Sequence, residues 1–119
     1  MPLKINPSAK NYGAHLAIQR WDKPGQPAEK VAIEKELRSQ GYQPEFWVDK
    51  PGMNYPNRKY DSEAVIWVLR GEAKITLGPD TDTLHDGDKL TLPPQKPYSL
   101  QVLGDKSLLW IIAQKKKKK

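Results

Sequence analysis

A chain of 119 residues, 37% of them hydrophobic and none of them cysteine, is the size of one domain with one core. It excludes disulfides, thiolate metal sites and a cysteine nucleophile. Its formal charge of +6 is no sign of a basic face, because five of the twenty basic residues are the terminal run Lys115 to Lys119, and the remaining fifteen meet fourteen acidic ones. That balance argues against a specific nucleic-acid partner; the Lys run reads as a solvated, disordered tail. No stretch approaches the roughly 20 apolar residues of a membrane helix, and Met1 to Lys10 lacks the apolar segment of a secretory signal. The cysteine-free composition suits a reducing cytoplasm.

The first expected element is a strand over Ala14–Trp21, where Leu16 and Ile18 alternate with Ala17 and Gln19. A turn-rich piece from Asp22 to Gln26 follows, and Pro27 opens an expected helix to about Gln40, with Glu29 near its positive end, a Glu34–Arg38 pair and Gly41 as its stop. The apolar stripe of Val31, Ile33 and Leu37 is thin, which implies a surface helix outside the core.

After Gly41, short β-branched and aromatic runs alternate with Gly, Pro and Asp turns. Strands are expected at Gln43–Val48, Tyr55–Lys59, Ala64–Arg70, Glu72–Leu77, Thr83–His85, Lys89–Leu92, Tyr98–Leu103 and Leu108–Ala113. So many short strands at this spacing imply an all-β class, an antiparallel barrel or sandwich carrying one N-terminal helix. The runs Val65–Leu69 and Leu108–Ile112 are apolar at nearly every position, so both faces must be covered. The helix can cover one outer face; a partner subunit, hence a homodimer, is the expected cover for another.

Spacing then narrows the reading. Gly52 and Gly71 bracket Arg58, Tyr60 and Ala64; Gly87, Pro93 and Pro97-Tyr98 form a second set. The pattern resembles the cupin family. Its first motif reads Gly, five residues, His, one residue, His, three or four residues, Glu, six residues, Gly. Its second reads Gly, five residues, Pro, one residue, Gly, two residues, His. The resemblance runs from about Gln43 to Gln114 and implies a jelly-roll barrel. It implies a single domain over 1–114, made of an N-terminal strand and helix (14–41), the barrel (43–114) and, beyond it, the Lys tail (115–119).

In metal-binding cupins the motif's three His and one Glu converge on iron, manganese, nickel or a similar ion. Here those positions hold Arg58, Tyr60, Ala64 and Tyr98. Arg has no lone pair to offer, Ala has nothing, and protonated phenols are poor ligands. Glu63 lies one residue from the Glu position, but a slip of one turns a strand side chain to the opposite face unless a bulge restores it. The two histidines, His15 and His85, fall outside both motifs and read as surface residues. The expectation is therefore no metal and no other cofactor.

The same alignment implies that Arg58, Tyr60 and Tyr98 point inward, with Trp47, Tyr55, Glu63, Ala64 and Trp67 as candidate pocket wall. A guanidinium and two phenols suit a small anionic or hydroxylated ligand. The competing reading is a filled barrel in which Arg58 pairs with Glu63 or Asp61 and the phenols bond each other. Four functions stay open. They are metal-free ligand binding without chemistry, a metal-independent isomerase or epimerase using a tyrosine acid, a dimeric interaction protein with a vestigial pocket, and anionic contacts through the Lys tail. No catalytic residue is assigned, since no histidine partners a tyrosine as base.

Overall fold

The computed structural model describes residues 16–23 and 25–116. The chain runs β1 (Ala17–Gln19), α1 (Lys30–Ser39), β2 (Tyr42–Asp49), β3 (Asn54–Arg58), β4 (Ala64–Arg70), β5 (Glu72–Leu77), β6 (Asp80–Leu84), β7 (Lys89–Leu92), β8 (Tyr98–Leu103) and β9 (Leu108–Lys115). They form a five-stranded sheet in the order β1-β7-β4-β9-β2 and a four-stranded sheet in the order β3-β8-β5-β6. Every pairing between strands is antiparallel.

Side-chain parity divides the larger sheet into two faces, because successive residues of a strand point to opposite sides. Ala64, Ile66 and Val68 of β4 and Leu108, Trp110 and Ile112 of β9 face the smaller sheet and build the main core with Ile75, Leu77, Leu90 and Leu100. Val65, Trp67 and Leu69 with Ile111 and Ala113 face outward and pack under the helix, against Ile33, Leu37 and Ala28. The helix is thus more than a surface element: Leu37 is fully buried, whereas Val31 of the expected stripe is exposed. The doubly apolar run of β4 finds its outer cover inside the chain.

Other boundaries shift for physical reasons. The first strand is short because Arg20 and Trp21 leave the sheet to hydrogen-bond elsewhere. The helix begins at Lys30 and not at Pro27, with Glu29 as an N-cap that makes no side-chain cap bond. Its ion pair is Lys30–Glu34 at 3.1 Å, in place of the expected Glu34–Arg38. At the other end β9 continues through Lys115, whose Cα pairs with that of Tyr42, and the Lys116 amide donates to the Gly41 carbonyl. These two lysines therefore belong to the sheet edge and not to a solvated tail; Lys115 also lies over the Tyr42 ring at 4.8 Å. Lys117 to Lys119 and His15 lie outside the described residues.

A pocket at the open end of the barrel

The pocket begins with β2, whose alternation turns Glu45, Trp47 and Asp49 toward the interior while Phe46 and Val48 face out. Opposite Trp47 in register is Trp110 of β9, their rings 6.3 Å apart. Asp49 is only 6% exposed. A carboxylate buried so deeply must be hydrogen-bonded, and it accepts from the Tyr55 hydroxyl at 2.6 Å and from Trp110 Nε1 at 2.7 Å.

The third wall comes from β3, where a bulge decides the outcome. Register with β8 shifts between Tyr55 and Arg58, and Asn57 sits in the left-handed region at φ 53°, which asparagine tolerates better than most residues. The extra residue lets Tyr55 and Arg58, three positions apart, both reach the same cavity. Arg58 pairs in register with Tyr98, and its guanidinium lies 5.1 Å above the Tyr55 ring. Beneath, Tyr60 and Tyr98 stack with centroids 6.0 Å apart and their hydroxyls 3.0 Å apart. Together these side chains enclose about 100 Å³, with Gln114 and Glu45 at the rim and Ile112 on the floor.

The electrostatics follow from burial. The Tyr98 hydroxyl is pushed far above the usual phenol value, first by desolvation and then by its bond to Tyr60. Tyr55 is raised to about 12, mainly because its hydroxyl donates to the Asp49 carboxylate. Both therefore stay protonated and serve as hydrogen-bonding groups rather than bases at neutral pH. Among the described residues Arg58 forms no ion pair. Asp61, one of its expected partners, accepts from Gln95 Nε2 at 2.9 Å.

Five of the residues singled out from the sequence, Arg58, Tyr60, Tyr98, Trp47 and Tyr55, line this cavity. Ala64 also faces the barrel interior, fully buried within the apolar core, opposite Gln114. Two do not belong. Trp67 is three residues from Ala64 and of opposite parity, so it points out beneath the helix, donates Nε1 to the Gly87 carbonyl at 2.9 Å and carries the Lys89 ammonium 4.7 Å above its ring. Glu63 sits beside Tyr42 on the outer side, where its carboxylate, after burial, helps raise that phenol. Asp49, Trp110 and Glu45 went unnoticed as site residues. Their signal was the alternation Glu45-Trp47-Asp49 on one strand face, hidden because Asp49 precedes a Pro-Gly turn and reads as a turn residue.

The four positions where the family pattern places metal ligands do not fit a transition metal. Ala64 offers a methyl group, Arg58 offers only donors, and Tyr98 holds its proton far above neutral pH. Among the described residues, no three His, Asp or Glu side chains gather in a way that could hold an ion.

At the opposite end a second polar cluster ties down the N-terminal segment. Asp88, 4% exposed, accepts from the Arg20 guanidinium at 2.8 Å, the Trp21 amide at 3.1 Å and the His85 amide at 2.9 Å. Arg20 also reaches the Thr83 carbonyl and Asp82. His85 is exposed, 3.5 Å from Glu72. A broader groove of about 610 Å³ runs beside Trp21, Trp67 and Lys89 on the outer face, where Arg20 is tied into these pairings and Lys23 and Lys89 lie over the Trp21 and Trp67 rings.

No family model and no curated protein matches this sequence. Solved structures do. A cupin 2 domain-containing protein from Halorhodospira halophila is similar with a TM-score of 0.61 at 16% identity, over 86% of this chain and 77% of that one. A cupin 2 conserved barrel domain protein from Salinispora arenicola has a TM-score of 0.58 at 16% identity, over 98% and 91%. The DMSP lyase DddQ from Ruegeria pomeroyi has a TM-score of 0.59 at 19% identity over 65% of this chain, which spans only 39% of that enzyme. At these identities the likeness speaks for architecture alone. With its two antiparallel sheets closing on one core and two of these neighbours matched over most of its length, the chain has the barrel fold of the cupins.

Proposed function

We propose that this chain is a metal-free cupin that binds a small anionic or hydroxylated molecule in the pocket at the open end of its barrel. The observation that carries the reading is Arg58. Its guanidinium stands at the edge of a cavity of about 100 Å³, held by an aromatic face and not by a carboxylate. A fixed fork of donors beside a cavity is the arrangement that recognises carboxylate or phosphate oxygens. The Tyr60 and Tyr98 hydroxyls, one the donor of their mutual bond, leave one proton and several lone pairs for a bound hydroxyl or acid group. A cavity of that size corresponds to about three waters at roughly 30 Å³ each, so the ligand is a small acid or polyol.

An isomerase reading would use one of the phenols as acid, but the cavity offers no imidazole as its partner. His85 stands in an exposed loop and lines a different groove. Binding without chemistry is the simpler use of these groups.

The test is a thermal-shift screen of small carboxylic acids, polyols and sugar phosphates on the wild type and on Arg58→Ala. A melting rise with an acid in the wild type that disappears in the variant is the expected result. Equal rises in both would remove Arg58 from the site and the reading with it.

A further inference from the structure

The aromatic side of the pocket carries information that the anion reading leaves unused. Trp47, Tyr55 and Trp110 stand at the corners of a nearly equilateral triangle, with centroids 6.5, 6.3 and 6.3 Å apart. Their planes meet at 81°, 39° and 48°, so they form neither a parallel stack nor a flat wall. All three line the same small cavity, and a cation over the face of any one ring is attracted within roughly 6 Å of its centroid.

Each of these rings gives its one polar hydrogen to a carboxylate. Trp47 Nε1 donates to Glu45 at 3.3 Å, the Tyr55 hydroxyl to Asp49 at 2.6 Å, and Trp110 Nε1 to Asp49 at 2.7 Å. Donation to an anion makes a ring more electron-rich, and the two carboxylates add negative potential behind it. Elsewhere the chain uses its rings under its own cations: Lys23 lies over Trp21, Lys30 over Phe46, Lys89 over Trp67 and Lys115 over Tyr42. Trp47 and Trp110 carry no such cation among the described residues. Arg58, over Tyr55, and Glu45 line the same small cavity, so it holds one group of each charge.

A simple anion would meet Arg58 but also Glu45. A simple cation would meet the indoles but also Arg58. We propose that the ligand is a small zwitterion, a methylated onium head one or two carbons from a carboxylate, with the carboxylate on Arg58 and the head against Trp47 and Trp110. This rests on the reading of the pocket as a ligand site and names its substrate class. The cavity is open on one side, so the acid group can reach Arg58 while the head sits at the mouth against the part-exposed Trp47.

The experiment is calorimetric titration of the full chain with glycine betaine and with 3,3-dimethylbutanoate, in which carbon replaces the quaternary nitrogen, alongside choline and acetate. Betaine should bind at least ten-fold tighter than each of the other three. Glu45→Gln and Trp47→Leu should narrow the gap to the carbon isostere, while Arg58→Met should weaken betaine and the isostere together. Trp47 is 39% exposed, so its variant keeps the fold, with melting temperature as the control. If the isostere matches betaine and both depend on Arg58, the zwitterion is wrong and the anion site stands. If choline binds tightest, the site is a cation cage and the proposal falls. If none of the four binds and no acid in the wider screen does, both readings fall.

Discussion

Arg20 and Arg58 stand at opposite ends of the barrel and are used in opposite ways. Arg20 is held by Asp88, Asp82 and the Thr83 carbonyl, and Asp88 in turn is filled by two backbone amides. Three of the five N–H donors of Arg20 are engaged in this way, and the cluster fastens the N-terminal segment to the turn between β6 and β7. Arg58 has an aromatic face beneath it, no ion pair among the described residues, and a cavity in front. One end of the fold spends its polar groups on itself and the other keeps them on offer, and this marks the open end as the place to look for function.

The comparison breaks first if the apolar base common to both ends is misassigned. Trp110→Ala and Trp67→Ala should each cost about 3–5 kcal/mol, since both are nearly fully buried, Trp110 on the pocket floor and Trp67 under the helix; urea melts of the two variants measure this. At the closed end, Gly87 has φ 87° and a Cβ there would lie 2.3 Å from the Trp21 ring, so Gly87→Ala should destabilise by about 3 kcal/mol. Gly52, at φ 88° with nothing within 4 Å, separates the two contributions: Gly52→Ala should cost only about 1 kcal/mol of backbone strain. Equal losses at both would show that Trp21 does not pack as described.

Asp88→Ala should come next, at about 2–3 kcal/mol, because it strands buried donors, and it should leave ligand binding unchanged. At the open end the sign of a pH effect can be stated. Tyr98 has a raised value in the folded state, so the stability it lends is complete below about pH 10, the unfolded phenol value, and is lost as pH rises beyond it. The slope between pH 10 and 11 should be at most about 1.4 kcal/mol per pH unit from this group, and Tyr98→Phe should flatten it in chemical denaturation. The smallest expected effect is that of Arg58→Ala on stability, within about 0.5 kcal/mol, with loss of ligand as its main consequence. A large destabilisation there would make Arg58 a structural residue like Arg20.

The positions of β4, β5, β7 and β8 were legible in the chain itself, because alternating or doubly apolar runs bounded by Gly, Pro and Asp leave little freedom of boundary. Arg58, Tyr60 and Tyr98 were legible from motif spacing, since two glycine frames place them around one interior, Arg58 and Tyr98 on strands and Tyr60 just past the end of β3. Trp67 and Glu63 were misplaced for the same reason that the others were placed: parity along β4 carries Ala64 inward and sends its odd-numbered neighbours out, and the one shift of register against β9 lies beyond them, between Val68 and Arg70. Asp49 could not be recognised, because a carboxylate before a turn looks solvated until Tyr55 and Trp110 close over it.

By itself the sequence determined that an antiparallel barrel forms and that its four family ligand positions hold a guanidinium, two phenols and a methyl, since periodicity and residue chemistry are local properties. Only the tertiary structure decided which of those groups share a cavity. That depended on an added residue in β3, on helix and sheet burying the outward half of β4, and on two distant tryptophans and an aspartate meeting across strands, none of which leaves a mark on local spacing.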